Sequence, residues 1–105
     1  MIHKENFKEL LNHLEFQKKG NIFRKDFEEI GVFLQVDFIR ETIDYPQVAG
    51  LKVNEKQTCN FSSAENAVVF ECVYQLLKKG YKPKHIEIEP KFKLGHGASG
   101  GRADI

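Results

Sequence analysis

The sequence predicts an α+β domain, and three observations predict it. Residues 4–16 space their apolar side chains as one face of a helix. Residues 21–46 switch to alternation every second residue, with many β-branched and aromatic side chains. Residues 62–80 return to helical spacing, bounded by start and stop signals.

In the first segment, Phe7, Leu10, Leu11 and Leu14 follow the i, i+3, i+4, i+7 rule of a buried stripe. Gly20 ends it. In the second, Val32, Leu34, Val36 and Phe38 share one parity, and Gly31 marks the turn before them. Two or three antiparallel strands packed on the first helix are the simplest arrangement. Tyr45-Pro46 closes the block, because proline cannot donate to a ladder. Residues 47–61 read as a connection with one short strand at residues 51–53.

The helix expected over residues 62–80 is long and largely buried. Val68, Val69, Phe70, Cys72, Val73, Leu76 and Leu77 give it a wide apolar surface, which should pack on the sheet through Val69, Val73 and Leu76. Ser62 offers an N-cap and Glu65 completes a possible capping box. Lys78 and Lys79 suit the negative end of the helix dipole, Gly80 fits the left-handed position after the helix, and Pro83 follows as a stop. A strand follows over residues 84–94, with Ile86, Ile88, Phe92 and Leu94 on one parity. Pro90 argues for an edge or an end there. GHGASGG then reads as a loop, and RADI as the opening of another strand. Because Asp104 and Ile105 look like the first residues of a core element, the chain is expected to belong to a longer polypeptide. Residues 1–59 form one expected unit, and residues 60–105 the other.

Composition narrows the function classes. With 41% hydrophobic residues among 105 the chain can build a modest core, and its 30% charged residues balance to a net +1. That balance gives no global attraction to nucleic acid. Six lysines lie between positions 78 and 93, however (Lys78, Lys79, Lys82, Lys84, Lys91 and Lys93). A solvated surface explains them most simply, and a phosphate-contacting edge is the sharper alternative. The start MIHKENFKEL is no secretory signal, and no apolar stretch approaches the ~20 residues that span a bilayer. Cys59 and Cys72 form no CxxC, so reduced structural thiols in a cytoplasmic protein are expected, with no membrane partner.

The residues that could carry chemistry lie late in the chain. A divalent ion such as Mg²⁺ takes hard oxygen ligands, often one or two carboxylates, and can activate water while steadying charge on a leaving phosphate oxygen. Asp104, at the start of a strand, would give a defined ligand direction. Glu65 precedes Val69, Cys72 and Leu76 by four, seven and eleven residues, so it is expected on the core-directed face, near the first helical turn. It serves either as a cap partner or as a carboxylate approaching a metal held by Asp104.

The stretch NFSSAENAVVFECVYQLLKKGYKPKHIEIEPKFKLGHGASGGRADI resembles the N-terminal PD-(D/E)XK-like nuclease segment of type I restriction enzymes. It is most similar to single-chain relatives that fuse nuclease, helicase and adenine-N6 DNA methyltransferase parts. The resemblance rests on the acidic helix start at Glu65, the Lys79-Gly80-Tyr81 step, the strand with Ile88-Glu89, and Gly101-Arg102-Ala103-Asp104-Ile105. It covers residues 60–105 well and residues 1–59 only as a general helix-then-strands pattern. It implies the first half of a restriction-endonuclease-like fold, with metal-dependent cleavage of a double-stranded DNA phosphodiester in the intact protein. Asp104 and Glu65 would be the catalytic, metal-binding acids, and Mg²⁺ the cofactor. Lys91, Lys93 and Arg102 would touch the DNA backbone. The family's Glu-x-Lys pair belongs to the next strand, so these 105 residues alone are expected to be inactive. Recognition and methylation would reside in the remaining domains of the same polypeptide. Val69 also stands where the family carries a helix arginine or glutamine.

Other motifs carry less. Gly95-His96-Gly97-Ala98-Ser99-Gly100 spells GxGxxG, but a dinucleotide fingerprint needs a helix directly afterwards, and RADI is strand-like. His96 is expected as a solvent-exposed loop residue. Cys59, Cys72, His85 and His96 match no zinc spacing. Glu87 and Glu89 fall on a strand's solvent parity, with Glu89 a candidate to support the metal ligands. Asp37 has a structural role on its strand. The rival functions are a non-catalytic docking or DNA-binding domain of a DNA methyltransferase, and a nucleotide-binding module built on the glycine loop.

Overall fold

The computed structural model describes residues 1–88. Helix α1 spans Lys4–His13 and is followed by four strands: β1 Gln17–Lys19, β2 Ile22–Phe27, β3 Val32–Asp37 and β4 Thr42–Asp44. They form an antiparallel meander in the order β1-β2-β3-β4. A 3-10 turn at Gln47–Ala49, strand β5 at Lys52–Val53 and a 3-10 turn at Lys56–Cys59 lead into helix α2, Glu65–Lys78. A third 3-10 turn, Pro83–His85, then precedes β6 at Glu87–Ile88. The fold is α+β, as the patterning predicts.

The alternation sets which sheet face is buried. Phe23, Leu34, Val36 and Ile43 share the inner face and are all buried, with Val36 paired to Phe23 on one side and Ile43 on the other. Arg24, Gln35 and Asp44 form a cross-strand row on the outer face. There Arg24 lies 3.8 Å over the ring of Phe33 and pairs with Asp26 at 3.0 Å. A sheet with one wet face needs exactly one apolar row per strand, which is why the period-2 pattern is legible here. The meander has four strands rather than two or three. The added strand is Gln17–Lys19, whose side chains are all exposed, so burial gives it no alternation to read.

Both helices are shorter than the expected spans of residues 4–16 and 62–80: α1 closes early, whereas α2 starts late, at Glu65, and closes at Gly80 as expected. The α1 helix stops at His13, where the N–H of Glu15 donates to Asn12 O and that of Phe16 to Leu11 O, both at 3.0 Å. The α2 helix stops at Lys78, where the N–H of Gly80 donates to Leu77 O and that of Tyr81 to Leu76 O, again at 3.0 Å. These are paired C-terminal closures with a left-handed residue after the cap. Gly80 takes φ +96°, whereas Glu15 takes φ +65° without glycine's freedom.

Helix α2 presents Asn66, Phe70, Val73, Tyr74 and Leu77 to the core. The expected wide burial is corrected on two points. Val68 is 62% exposed, and Val69, Cys72 and Leu76 are half-buried. The buried stripe runs along Phe70, Val73, Tyr74 and Leu77, so packing on the sheet passes through Val73 and these aromatics more than through Val69 and Leu76. Phe7 joins the layers: its ring lies 5.7 Å from Phe38, 5.6 Å from Phe61 and 5.5 Å from Phe70. One core therefore holds side chains from α1, the meander, α2 and β6.

Strands β5 and β6 pair in parallel, Lys52 with Glu87 and Val53 with Ile88, and α2 crosses between them. Parallel neighbours require such a crossover. Asn54 clamps the pair, since its Nδ2 donates to Glu87 Oε2 at 2.9 Å and Ile88 O at 3.1 Å. Ile86 and Ile88 are buried, in agreement with their expected parity. The expected strand beyond Ile88 and the opening at Arg102 lie outside the described residues.

Candidate functional site

The amino end of α2 is built by a short polar loop. Asn60 Oδ1 accepts the Ser62 N–H at 2.9 Å, and the Ser62 hydroxyl donates to Gln57 O at 3.4 Å. Ser63 Oγ accepts the Glu65 N–H at 3.2 Å. The serine that serves the helix start is therefore Ser63, not Ser62, and the expected Ser62–Glu65 capping box does not form. Ser62 is turned back onto the preceding 3-10 turn, and the helix begins at Glu65 itself.

Glu65 does not face the core. It is exposed, and the core-directed position of that turn belongs to the next residue, Asn66. The reason is angular: Asn66 precedes Phe70, Val73 and Leu77 by four, seven and eleven residues, whereas Glu65 shares its row with the half-buried Val69, Cys72 and Leu76. Asn66 Nδ2 donates to both Gln57 O and Asn60 O at 2.8 Å. That buried amide fixes the loop against the helix and so sets where Glu65 stands. Sequence reasoning missed Asn66, although its place on the stripe of Phe70, Val73 and Leu77 was a usable signal.

An exposed carboxylate at a helix amino end suits the positive pole of the dipole. Glu65 is accessible to a partner in solvent or to another part of the polypeptide. Asp104, the second proposed metal ligand, lies outside the described residues, as do Lys91, Lys93, Arg102, Glu89 and His96. Among the described residues no group of three or more His, Cys, Asp or Glu side chains could hold a metal ion. Glu65 there offers one exposed carboxylate, a hard oxygen donor of the kind Mg²⁺ takes once or twice beside its waters.

The remaining titratable groups of interest have structural roles. Asp37 Oδ1 accepts the N–H groups of Ile39 at 2.8 Å and Arg40 at 3.0 Å, closing the turn between β3 and β4. The Arg40 N–H, more than any other neighbour, holds the Asp37 carboxyl below the ordinary aspartate range. Burial pushes up the thiols of Cys59 and Cys72, which disfavours the thiolate needed by a nucleophile. Tyr45 is buried, and its hydroxyl has no hydrogen-bond partner among the described residues. Burial, followed by the nearby Cys59 and Cys72, pushes its pKa well above the ordinary tyrosine range.

Lys79, Lys82 and Lys84 are exposed along the segment between α2 and β6. No helix among the described residues is long and apolar enough to cross a membrane. No family model, no curated protein and no solved structure matches the chain.

Proposed function

We propose that the chain is the N-terminal nuclease segment of a DNA restriction–modification enzyme, acting in the intact polypeptide by metal-dependent hydrolysis of a duplex DNA phosphodiester. The observation that supports it most is the β5–α2–β6 unit, a parallel strand pair bridged by a helix that opens with the exposed acid Glu65. The Gly101-Arg102-Ala103-Asp104-Ile105 step follows that unit in sequence. Glu65 and Asp104 would hold Mg²⁺, and the ion would supply water activation and charge stabilisation at the leaving oxygen. The part played by this chain's own residues is to fix the acids: Asn66 ties the loop to α2 and thereby holds the helix start that carries Glu65. Lys91, Lys93 and Arg102 would contact the backbone, a role that gives affinity and not sequence choice.

The test has two arms. In the intact enzyme, Asp104→Ala should abolish Mg²⁺-dependent DNA cleavage and leave adenine methylation unchanged. In the 105-residue chain, Mn²⁺ added in place of Mg²⁺ should broaden the amide NMR signals of Glu65 and Asp104 together. Cleavage at the wild-type rate by Asp104→Ala, or broadening at one acid without the other, refutes the assignment.

A second reading has its own observation. An open groove of about 270 Å³ runs between α1 and α2, lined by Phe7, Leu10, Ala64, Ala67 and the exposed Val68. Such a groove suits a non-catalytic domain that docks on a methyltransferase. Under that reading, Val68→Glu should release the segment from the rest of the polypeptide while Asp104→Ala changes nothing.

A further inference from the structure

We infer that the segment joining α2 to β6 is a duplex-DNA backbone contact, made by Lys79, Lys82 and Lys84 with Tyr81 between them. The inference rests on the duplex-DNA reading above and adds a surface to it, in described residues distinct from Lys91, Lys93 and Arg102.

Charge is distributed unevenly along the chain. Residues 1–77 contain nine Lys+Arg and twelve Asp+Glu, whereas residues 78–85 contain four lysines and no acid. Between Glu71 and Glu87 there is no Asp or Glu at all. Two cations elsewhere pair with acids, Lys4 with Glu41 at 2.6 Å and Arg24 with Asp26 at 3.0 Å. Lys79, Lys82 and Lys84 make no ion pair among the described residues.

The dipole of α2 explains a cation in its last turn, and so accounts for Lys78 and Lys79. It does not reach Lys82 and Lys84, which follow the left-handed Gly80 and flank Pro83. Lys78 is a separate case: it lies 5.7 Å from the ring centre of Tyr74 and borders a groove that also carries Glu28 and Glu29. The other three lysines are exposed with Tyr81, itself 53% exposed. A phenol among ammonium groups adds a hydroxyl donor, and lysines and tyrosines both bind phosphate oxygens.

The segment is also held in place. Pro83 is buried, the N–H of His85 donates to Lys82 O at 2.9 Å, and that of Ile86 to Pro83 O at 2.9 Å. Gly50 packs so closely that a Cβ there would lie 3.0 Å from Lys84 Cβ and 3.1 Å from its Cα. Like charges so close in sequence on a fixed backbone cannot spread apart by moving the chain. A polyanion relieves that repulsion and releases its own counterions on binding.

The test is fluorescence anisotropy of the 105-residue chain with a short labelled DNA duplex, titrated at several salt concentrations. The triple variant Lys79→Gln, Lys82→Gln, Lys84→Gln is compared with Lys18→Gln, Lys19→Gln, Arg40→Gln, which removes the same charge elsewhere. Circular dichroism confirms that both fold. The Lys79, Lys82, Lys84 variant should bind roughly tenfold or more weakly, with the salt slope reduced by about one per lysine removed, while the control stays within about twofold of wild type. Equal losses in the two variants would mean net charge alone matters, and would overturn the inference. So would absence of duplex binding by the wild-type chain at low salt, or equal competition by polyglutamate and unlabelled duplex. None of these outcomes touches the nuclease reading, which stands or falls on cleavage by Asp104→Ala in the intact enzyme.

Discussion

At the scale of single residues, Asn66 carries more than its size suggests. Its amide satisfies two loop carbonyls in a buried setting, at 2.8 Å each. Asn66→Ala should destabilise the chain by about 1–3 kcal/mol, because the carbonyls lose a buried donor. Asn66→Asp should cost more, since a carboxylate would face two carbonyl oxygens with no proton to donate at neutral pH. Urea denaturation of the two variants checks the order, and an aspartate variant as stable as the alanine one would contradict it. Residue types also account for what was hard to read locally. A helix start between Ser62, Ser63 and Glu65 offers two capping serines, and sequence cannot choose between them. The choice fell to Ser63 because Asn60 and Gln57 engage Ser62.

At the scale of elements, the two helix ends make the same hydrogen bonds with different residues in the left-handed position. Gly80 adopts φ +96° with little steric cost, while Glu15 at φ +65° places a Cβ where left-handed backbone crowds it. Glu15→Gly should therefore raise stability by about 1 kcal/mol and increase the midpoint of thermal unfolding. A lower midpoint in differential scanning calorimetry would show that the Glu15 side chain contributes contacts worth more than the strain. The contrast also decides how clearly each helix end is marked in the sequence. Gly80 announces the end of α2 in the sequence, but no glycine marks the left-handed position at Glu15, and the buried Leu14 just before it still falls on the apolar stripe of α1. The short strand β1 was illegible for a related reason, its three residues all being exposed.

At the scale of the whole molecule, the aromatic cluster binds the layers into one unit. Phe70 contacts Phe7, Phe16 and Tyr45, which come from α1, the α1–β1 connection and the segment after β4. Phe70→Ala should cost about 3–5 kcal/mol, by lost burial plus the cavity left behind. Because the layers share that core, α2 and the meander should lose amide protection together, in one transition by hydrogen exchange. Separate transitions for the sheet and α2 would show that they are independent folding units.

Local patterning specifies the α+β class, the inner face of the meander, the two helices and the stop at Gly80. Each of these follows from periodicity or backbone preference, which act over a few neighbouring residues. Tertiary structure decided the parallel pairing of β5 with β6, the rotation of α2 that buries Asn66 and exposes Glu65, and the packing of Gly50 on Lys84. Those depend on contacts between segments distant in the chain, where one residue of offset turns a helix by about 100° and exchanges a buried side chain for a wet one.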